Sequence, residues 1–228
     1  MKVKFESTMH RQRFVLGLIC GLLPICCVLF GLFGASVNLP GWWHSISATY
    51  YATSSPWMVG SLCLASFFFL TYRGYDLGDR WFTNLSALTS ICIVVFPCSN
   101  SFYDKVGIFQ LPSNVSGMLH NITAAMLFVS FGLMILCQFT KGTNKKKNVL
   151  YRVCAIVIFA SVLGIGLATL LGLPGYMTIV CEFVLLEAFA VAWIVKSNVS
   201  IDRPIEIDCD GRCLNCEYYD TSDCPDRR

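Results

Sequence analysis

The chain has 228 residues, of which 55% are hydrophobic and 14% are charged, and its mean hydropathy is +0.61. A soluble domain carries roughly a quarter charged residues, so this composition excludes an ordinary soluble domain and predicts a chain embedded in a bilayer, where an ionised group costs several kcal/mol. The net charge of +3 is too small to indicate nucleic-acid binding.

Six apolar segments are long enough, or nearly so, to cross about 30 Å of hydrocarbon. They cover residues 14–37, 57–72, 83–98, 118–139, 149–171 and 175–195, the second and third being the shortest. The predicted fold class is therefore all-α, a polytopic membrane protein with six transmembrane helices. We divide the chain into a basic head (1–13), a transmembrane bundle (14–196) and a tail (197–228). Because the first segment lacks a small-residue cleavage site, we interpret it as a retained signal anchor.

Lysine and arginine are concentrated in alternate connections between the predicted spans. Four lie in the head and four between the fourth and fifth spans, with Arg152 just inside the fifth, whereas the first and fifth connections have none and the third has only Lys105. This asymmetry predicts that both termini are cytoplasmic. It indicates an integral, multi-pass protein, and it does not distinguish a bacterial inner membrane from a eukaryotic endomembrane or plasma membrane.

The stretch 38–60, which contains the first connection and the start of the second span, is uncharged and rich in aromatic and hydroxyl side chains. Trp42, Trp43, Tyr50 and Tyr51 are typical of an aromatic belt at the level of the lipid headgroups. We expect this segment to lie at the membrane–water interface and to cap the bundle. A short helix lying flat on the membrane is one conformation it could adopt. Small residues in 30–34 and 164–172 are predicted to allow close packing of helices.

Several phrases of this sequence occur in the order found in a known group. They are "SISATYY", "MVGSLCLASFFFLTYRGYD", "VVFPCS", "LHNITAAMLF", "KKNVLYRVC" and "EFVLLEAFAVAWIVKS". Together they resemble uncharacterised bacterial six-span integral membrane proteins and, more distantly, the Frag1/DRAM/Sfk1 group. The resemblance covers about residues 41–197. It implies a six-span topology and brings no settled activity, and the tail is not part of it.

Polar side chains are predicted to gather in the outer part of the membrane and to line one outward-facing cavity. Glu182 is the strongest candidate, because a carboxylate in an apolar helix is costly unless it faces the interior and finds a partner. A single structural hydrogen bond is the alternative. Glu187 lies about 140° further round the same helix. The candidate pocket residues are His44, Ser45, Ser47, Tyr50, Ser99, His120, Glu182 and Glu187.

Three functions stay open at this point. We favour a non-catalytic protein that binds or moves a lipid or small amphiphile through an outward-facing polar pocket. The second is a metal-dependent intramembrane lipid hydrolase, with His44, His120 and Glu182 as a two-histidine, one-carboxylate zinc site. No G-x-S-x-G frame surrounds Ser45 or Ser47. The third is an assembly or sensor subunit bound to a partner membrane protein or to a second copy of itself.

The tail holds four of the thirteen cysteines, while the others lie in apolar runs or at their ends. Four thiolates can bind zinc, and a reducing cytoplasm favours a metal over disulfides. The spacing fits no standard zinc knuckle, so free thiols are the alternative. The predicted zinc ligands are Cys209, Cys213, Cys216 and Cys224.

Overall fold

The structure is a computed structural model that describes residues 2–33, 41–72, 74, 76–142 and 144–197, with side chains from residue 9 onward. This part of the chain contains six α-helices. They are α1 (Lys2–Phe33), α2 (Ser55–Thr71), α3 (Leu77–Val95), α4 (Ser113–Cys137), α5 (Lys145–Leu170) and α6 (Tyr176–Ser197). Two short 3₁₀ helices cover Ser47–Tyr51 and Phe139–Lys141.

The six helices close a ring. Each helix packs against the next in the chain, α6 packs against α1, and α4 also touches α6. The centre is filled largely by aromatic rings, with Phe131 and Phe189 stacked at 3.7 Å between ring centroids and Phe69 and Trp193 beside them. All four of these side chains are buried.

Within the described residues, four segments are long and apolar enough to cross a membrane: Met9–Phe33, Ser113–Lys141, Lys145–Leu170 and Tyr176–Ser197. The prediction of an all-helical, multi-pass membrane protein is confirmed at this level. Helix α2 is apolar but has only 17 residues, and α3 is less apolar because it contains Asp79, Arg80 and Asn84 as well as inward-facing hydroxyl side chains. Ser86 on α3, for example, meets Ser130 on α4 at 3.2 Å between hydroxyl oxygens.

Local sequence signals explain where the helices begin and end. Asp76 caps α3 by accepting a hydrogen bond from the Asp79 N–H at 2.8 Å, and Asn144 caps α5 in the same way. At the end of α5, Gly172 has a φ of +63° and the Leu173 N–H donates to the Ala168 carbonyl at 2.9 Å, which is the Schellman arrangement.

The observed helices differ from the predicted spans in two respects. Most of them extend beyond the apolar runs into polar residues, and α1 begins at Lys2, so the basic head continues the first helix instead of preceding it. The third connection also contains a small antiparallel hairpin, β1 (Lys105–Val106) paired with β2 (Leu111–Pro112). Two-residue strands are too short to leave an alternating pattern in the sequence.

The ring has two different ends. At the basic end, where α1 begins and α6 ends, Arg13 is fully buried and its Nε donates to the Tyr72 hydroxyl at 2.9 Å. The Lys196 ammonium lies 5.4 Å from the centroid of the Phe139 ring and 5.8 Å from that of Tyr151, which favours cation–π attraction. The opposite end, called the far end here, carries the connecting segments 41–54, 96–112 and 171–175, whose charged residues are Asp104 and Lys105.

Candidate functional site

The segment 45–51 lies across the far end of the bundle and is fixed by hydrogen bonds. The Ser45 hydroxyl accepts from the Ala48 N–H at 2.9 Å, and the Tyr51 hydroxyl donates to the Cys98 carbonyl at 2.7 Å. Burial raises the pKa of Tyr51 above its ordinary value, so this hydroxyl keeps its proton at neutral pH. The segment thus contains the short helix expected there and links the first connection to the third.

Glu182 on α6 holds this segment in place. Its side chain is buried, with 7% of its surface exposed, and Oε2 accepts a hydrogen bond from the Ile46 N–H at 2.5 Å. Ile46 directly precedes the 3₁₀ helix, where backbone N–H groups have no partner within the helix. The carboxylate therefore satisfies a buried donor and ties α6 to the segment 45–51, which matches the structural alternative considered for this residue.

A groove opens on the side of the bundle at the far end, between α4, α5, α6 and the segment 45–51. It comprises about 1150 Å³ of space, part of it open to the surroundings. Its polar lining, which includes His120, Asn121 and Thr178, lies toward the far end. Phe128 and Val162 line its deeper part. Phe128 lies eight residues, or about 12 Å, after His120 on α4, and Val162 lies the same distance before Leu170 on α5. The groove is thus polar at its mouth and apolar in its depth.

A narrow central cavity adjoins this groove inside the ring. Apolar side chains of α1, α2, α3, α4 and α6 form most of its wall. Four residues line both spaces: Ser47, Ala124, Phe128 and Glu182. Glu182 therefore stands where the groove meets the centre of the bundle.

A third space, called the end pocket here, lies between the first and third connections. It comprises about 820 Å³, and its walls come from six residues of the first connection and from the five consecutive residues 98–102. Ser45 and Cys98 line both the end pocket and the groove. The two spaces therefore meet at the far end.

The predicted pocket residues separate into groups. Ser45, Ser47, His120 and Glu182 line the groove, and His44, Ser45 and Ser99 line the end pocket.

Tyr50 and Glu187 line none of these three spaces, and both face elsewhere. Tyr50 packs beside the core and against the ring of Tyr51. Glu187 turns toward α1, where its Oε2 would lie 3.6 Å from a Cβ placed on Gly21. Four of the eight predicted pocket residues therefore line the groove together, and the other four do not.

His44, His120 and Glu182 do not form the metal site that the hydrolase hypothesis requires. His120 is buried and its Nδ1 lies 2.9 Å from the Phe96 carbonyl oxygen, while the His44 ring packs edge-on against Trp43 and close to Gly175. Among the described residues, no group of three or more His, Cys, Asp or Glu side chains could hold a metal ion. The tail cysteines 209, 213, 216 and 224 lie outside the described residues, so their zinc site stays a prediction.

Sequence reasoning missed part of the groove wall. The sequence groups Gly166 with the glycines that allow close packing, and Gly164 does have that role, since a Cβ there would lie 3.0 Å from the Cys181 sulfur. A Cβ placed on Gly166, however, would meet no atom within 4 Å, because this position faces the groove. Only the position of α4 and α6 distinguishes these two glycines. The polarity of Asn121, next to His120, was the one available signal for its place at the mouth.

Comparison of this chain with family models, with curated proteins and with solved structures finds no match. The resemblance to the six-span group therefore stays a prediction.

Proposed function

We propose that this protein is a six-span membrane protein with both termini in the cytoplasm, and that it binds a lipid or small amphiphile in the groove at its far end. The observation that carries the proposal is the polarity of the groove along its length. Its mouth offers hydroxyl, imidazole and amide groups, and its depth offers aromatic and aliphatic side chains. A ligand that is polar at one end and apolar at the other fits such a site.

The ring arrangement supports six spans. Helices α2 and α3 lie between α1 and α4, which are both candidate spans, so they share the same layer. Their outward faces are apolar, with Phe67 and Leu70 on α2 and Leu88 on α3 all more than half exposed. Such faces are stable in lipid and costly in water. At 17 residues α2 is about 25 Å long, and a small local thinning of the bilayer accommodates that length.

The distribution of lysine supports the orientation and provides a test without mutation. Lys145 and Lys146 are exposed at the basic end, and Lys105 is exposed at the far end. A membrane-impermeant amine reagent added to intact cells is expected to modify Lys105 and to spare Lys145 and Lys146, as measured by peptide mass spectrometry. Opening the cells should then expose all three. Modification of Lys145 with protection of Lys105 would reverse the orientation.

The groove has room for a ligand, and Gly166 makes the binding proposal testable. Because a Cβ on Gly166 meets no neighbour, a larger side chain there would fill the groove without displacing the helices. Gly60 on α2 provides a matched control. It is exposed, a Cβ there also meets no atom within 4 Å, and it lines none of the three spaces.

The experiment compares the wild type with Gly166→Leu and Gly60→Leu, each purified in mild detergent. Bound lipid is counted by native mass spectrometry. We expect about one retained amphiphile per wild-type and Gly60→Leu chain and at least a tenfold lower occupancy in Gly166→Leu, with equal thermal stability for the two variants. Equal occupancy in all three proteins would overturn the binding proposal.

A further inference from the structure

We infer that the end pocket binds the head group of the amphiphile, and that this head group is an uncharged, polyhydroxylated group of the sugar type. This inference rests on the proposed function, because the apolar part of the same ligand is placed in the groove. It assigns a second recognition site at the far end and commits to one class of ligand chemistry.

The described lining of the end pocket is uncharged, which disfavours phosphate-bearing head groups. None of the lining residues within the described ranges is Asp, Glu, Lys or Arg. Phosphate is usually recognised through arginine or lysine. A quaternary ammonium can be held by aromatic rings alone, but in phospholipids it comes with a phosphate that this lining does not serve. A neutral head group requires no charged partner. The chemistry of the lining therefore favours a ligand whose polarity comes from hydroxyl groups.

Three aromatic rings line the pocket: Trp42, Tyr51 and Phe102. Tyr51 is fixed through its hydroxyl on the Cys98 carbonyl and by the stacked ring of Tyr103, with 5.8 Å between centroids. Rings of this kind present flat apolar faces and, in Trp and Tyr, a polar edge. A sugar ring has the complementary form, since its C–H faces are apolar and its rim carries hydroxyls.

Hydrogen-bonding groups stand next to these rings. Two hydrogen bonds fix the position of Asn100. Its side-chain Oδ1 accepts from the Phe102 backbone N–H at 2.8 Å, and its backbone N–H donates to the Ser113 hydroxyl at 2.8 Å. The Asn100 side-chain NH₂ and the hydroxyls of Ser99 and Ser101 donate to no other residue in the part of the chain that the structure describes. They remain available to several hydroxyls of one ligand.

The end pocket and the groove are neighbours, because Ser45 and Cys98 line both. We therefore place one molecule across them, with its head group between the connections and its chain against α4 and α5. This adjacency separates the inference from an isolated sugar site on the surface.

The test uses two probes with the same eight-carbon chain, octyl glucoside and octylphosphocholine. Binding to protein in phosphatidylcholine nanodiscs is measured by equilibrium dialysis below the micellar concentrations, with empty nanodiscs as background. We expect octyl glucoside to bind at least tenfold more tightly than octylphosphocholine. The double variant Ser99→Ala with Ser101→Ala should weaken octyl glucoside about tenfold, since each hydrogen bond contributes roughly a factor of two to ten, and should leave octylphosphocholine unchanged.

Both serines are exposed, so the double variant is expected to fold, and equal melting temperatures would verify this. Ser61→Ala on α2, outside the three spaces, is the matched control. Equal affinity of the two probes, or no effect of the double variant, overturns the head-group inference. If Gly166→Leu still weakens both probes, the proposed function stands without it. Failure of both probes to bind the wild type overturns the proposed function and the inference with it.

Discussion

The two ends of the bundle use polar residues in opposite ways. At the basic end, charged and aromatic side chains are buried together: Arg13 contacts Tyr72, and Lys196 lies over Phe139 and Tyr151. At the far end, hydroxyl, amide and imidazole groups and the Glu182 carboxylate line open spaces. The described side chains of the basic end pack against one another, whereas the far end is spanned by a segment held on a few hydrogen bonds.

This difference suggests that the basic end contributes mainly to the stability of the fold and the far end mainly to ligand binding. Trp193, near the basic end, contacts four aromatic rings, those of Phe69, Tyr72, Phe139 and Phe189. Among the described residues no comparable aromatic cluster spans the groove, where Gly166 and the alanines of α4 leave space beside His120. Changes at the basic end should therefore act on folding, and changes at the far end should act on the ligand and on the segment 45–51.

The largest effect is expected from Trp193→Ala. Removal of a fully buried tryptophan leaves a large cavity and costs about 3–5 kcal/mol. The matched change at the far end is Trp43→Ala, whose side chain is 45% exposed, with an expected loss below about 1 kcal/mol. Unfolding in detergent, followed by circular dichroism, measures both. Similar losses for the two variants would contradict the contrast between the ends.

An intermediate effect is expected from Glu182→Leu. This change leaves the buried Ile46 N–H without its acceptor, which costs about 1–3 kcal/mol and loosens the segment 45–51. Glu182→Gln keeps a carbonyl acceptor and should recover most of the loss. Hydrogen exchange at residues 46–51 measures the effect.

Glu187→Leu is the control on the same helix. Its Oε1 is buried and makes no hydrogen bond to any residue in the described ranges, so its removal should leave exchange at residues 46–51 unchanged. Equal acceleration in Glu182→Leu and Glu187→Leu would show that helix α6, and not the Ile46 contact, holds the segment.

The smallest effect is expected from Ser86→Ala. Its hydroxyl pairs with Ser130 between α3 and α4, and such interhelical hydrogen bonds in a membrane average about 0.6 kcal/mol. Thermal unfolding in detergent should show a loss of that size, with no change in bound amphiphile. A loss above about 2 kcal/mol would contradict this prediction and show that the Ser86–Ser130 pair contributes as much to stability as a buried core contact.

Sequence reasoning predicts the helices well because each apolar run carries its own signal. It also identifies Glu182, since a carboxylate in such a run needs a partner, yet that partner is the Ile46 backbone, and a backbone group has no sequence signature. Glu187 gives the same signal and faces α1, because which face of a helix turns inward depends on its neighbours. Gly164 and Gly166 differ for the same reason.

The most direct test of amphiphile binding in the groove is photocrosslinking of an acyl-chain diazirine lipid, supplied at one equivalent to detergent-purified protein. The adducts are predicted on residues 162–170 of α5 and around Phe128 of α4, and they should disappear in Gly166→Leu while persisting in Gly60→Leu. Adducts spread evenly over exposed positions such as Phe67 and Leu88, unchanged in Gly166→Leu, would contradict binding in the groove.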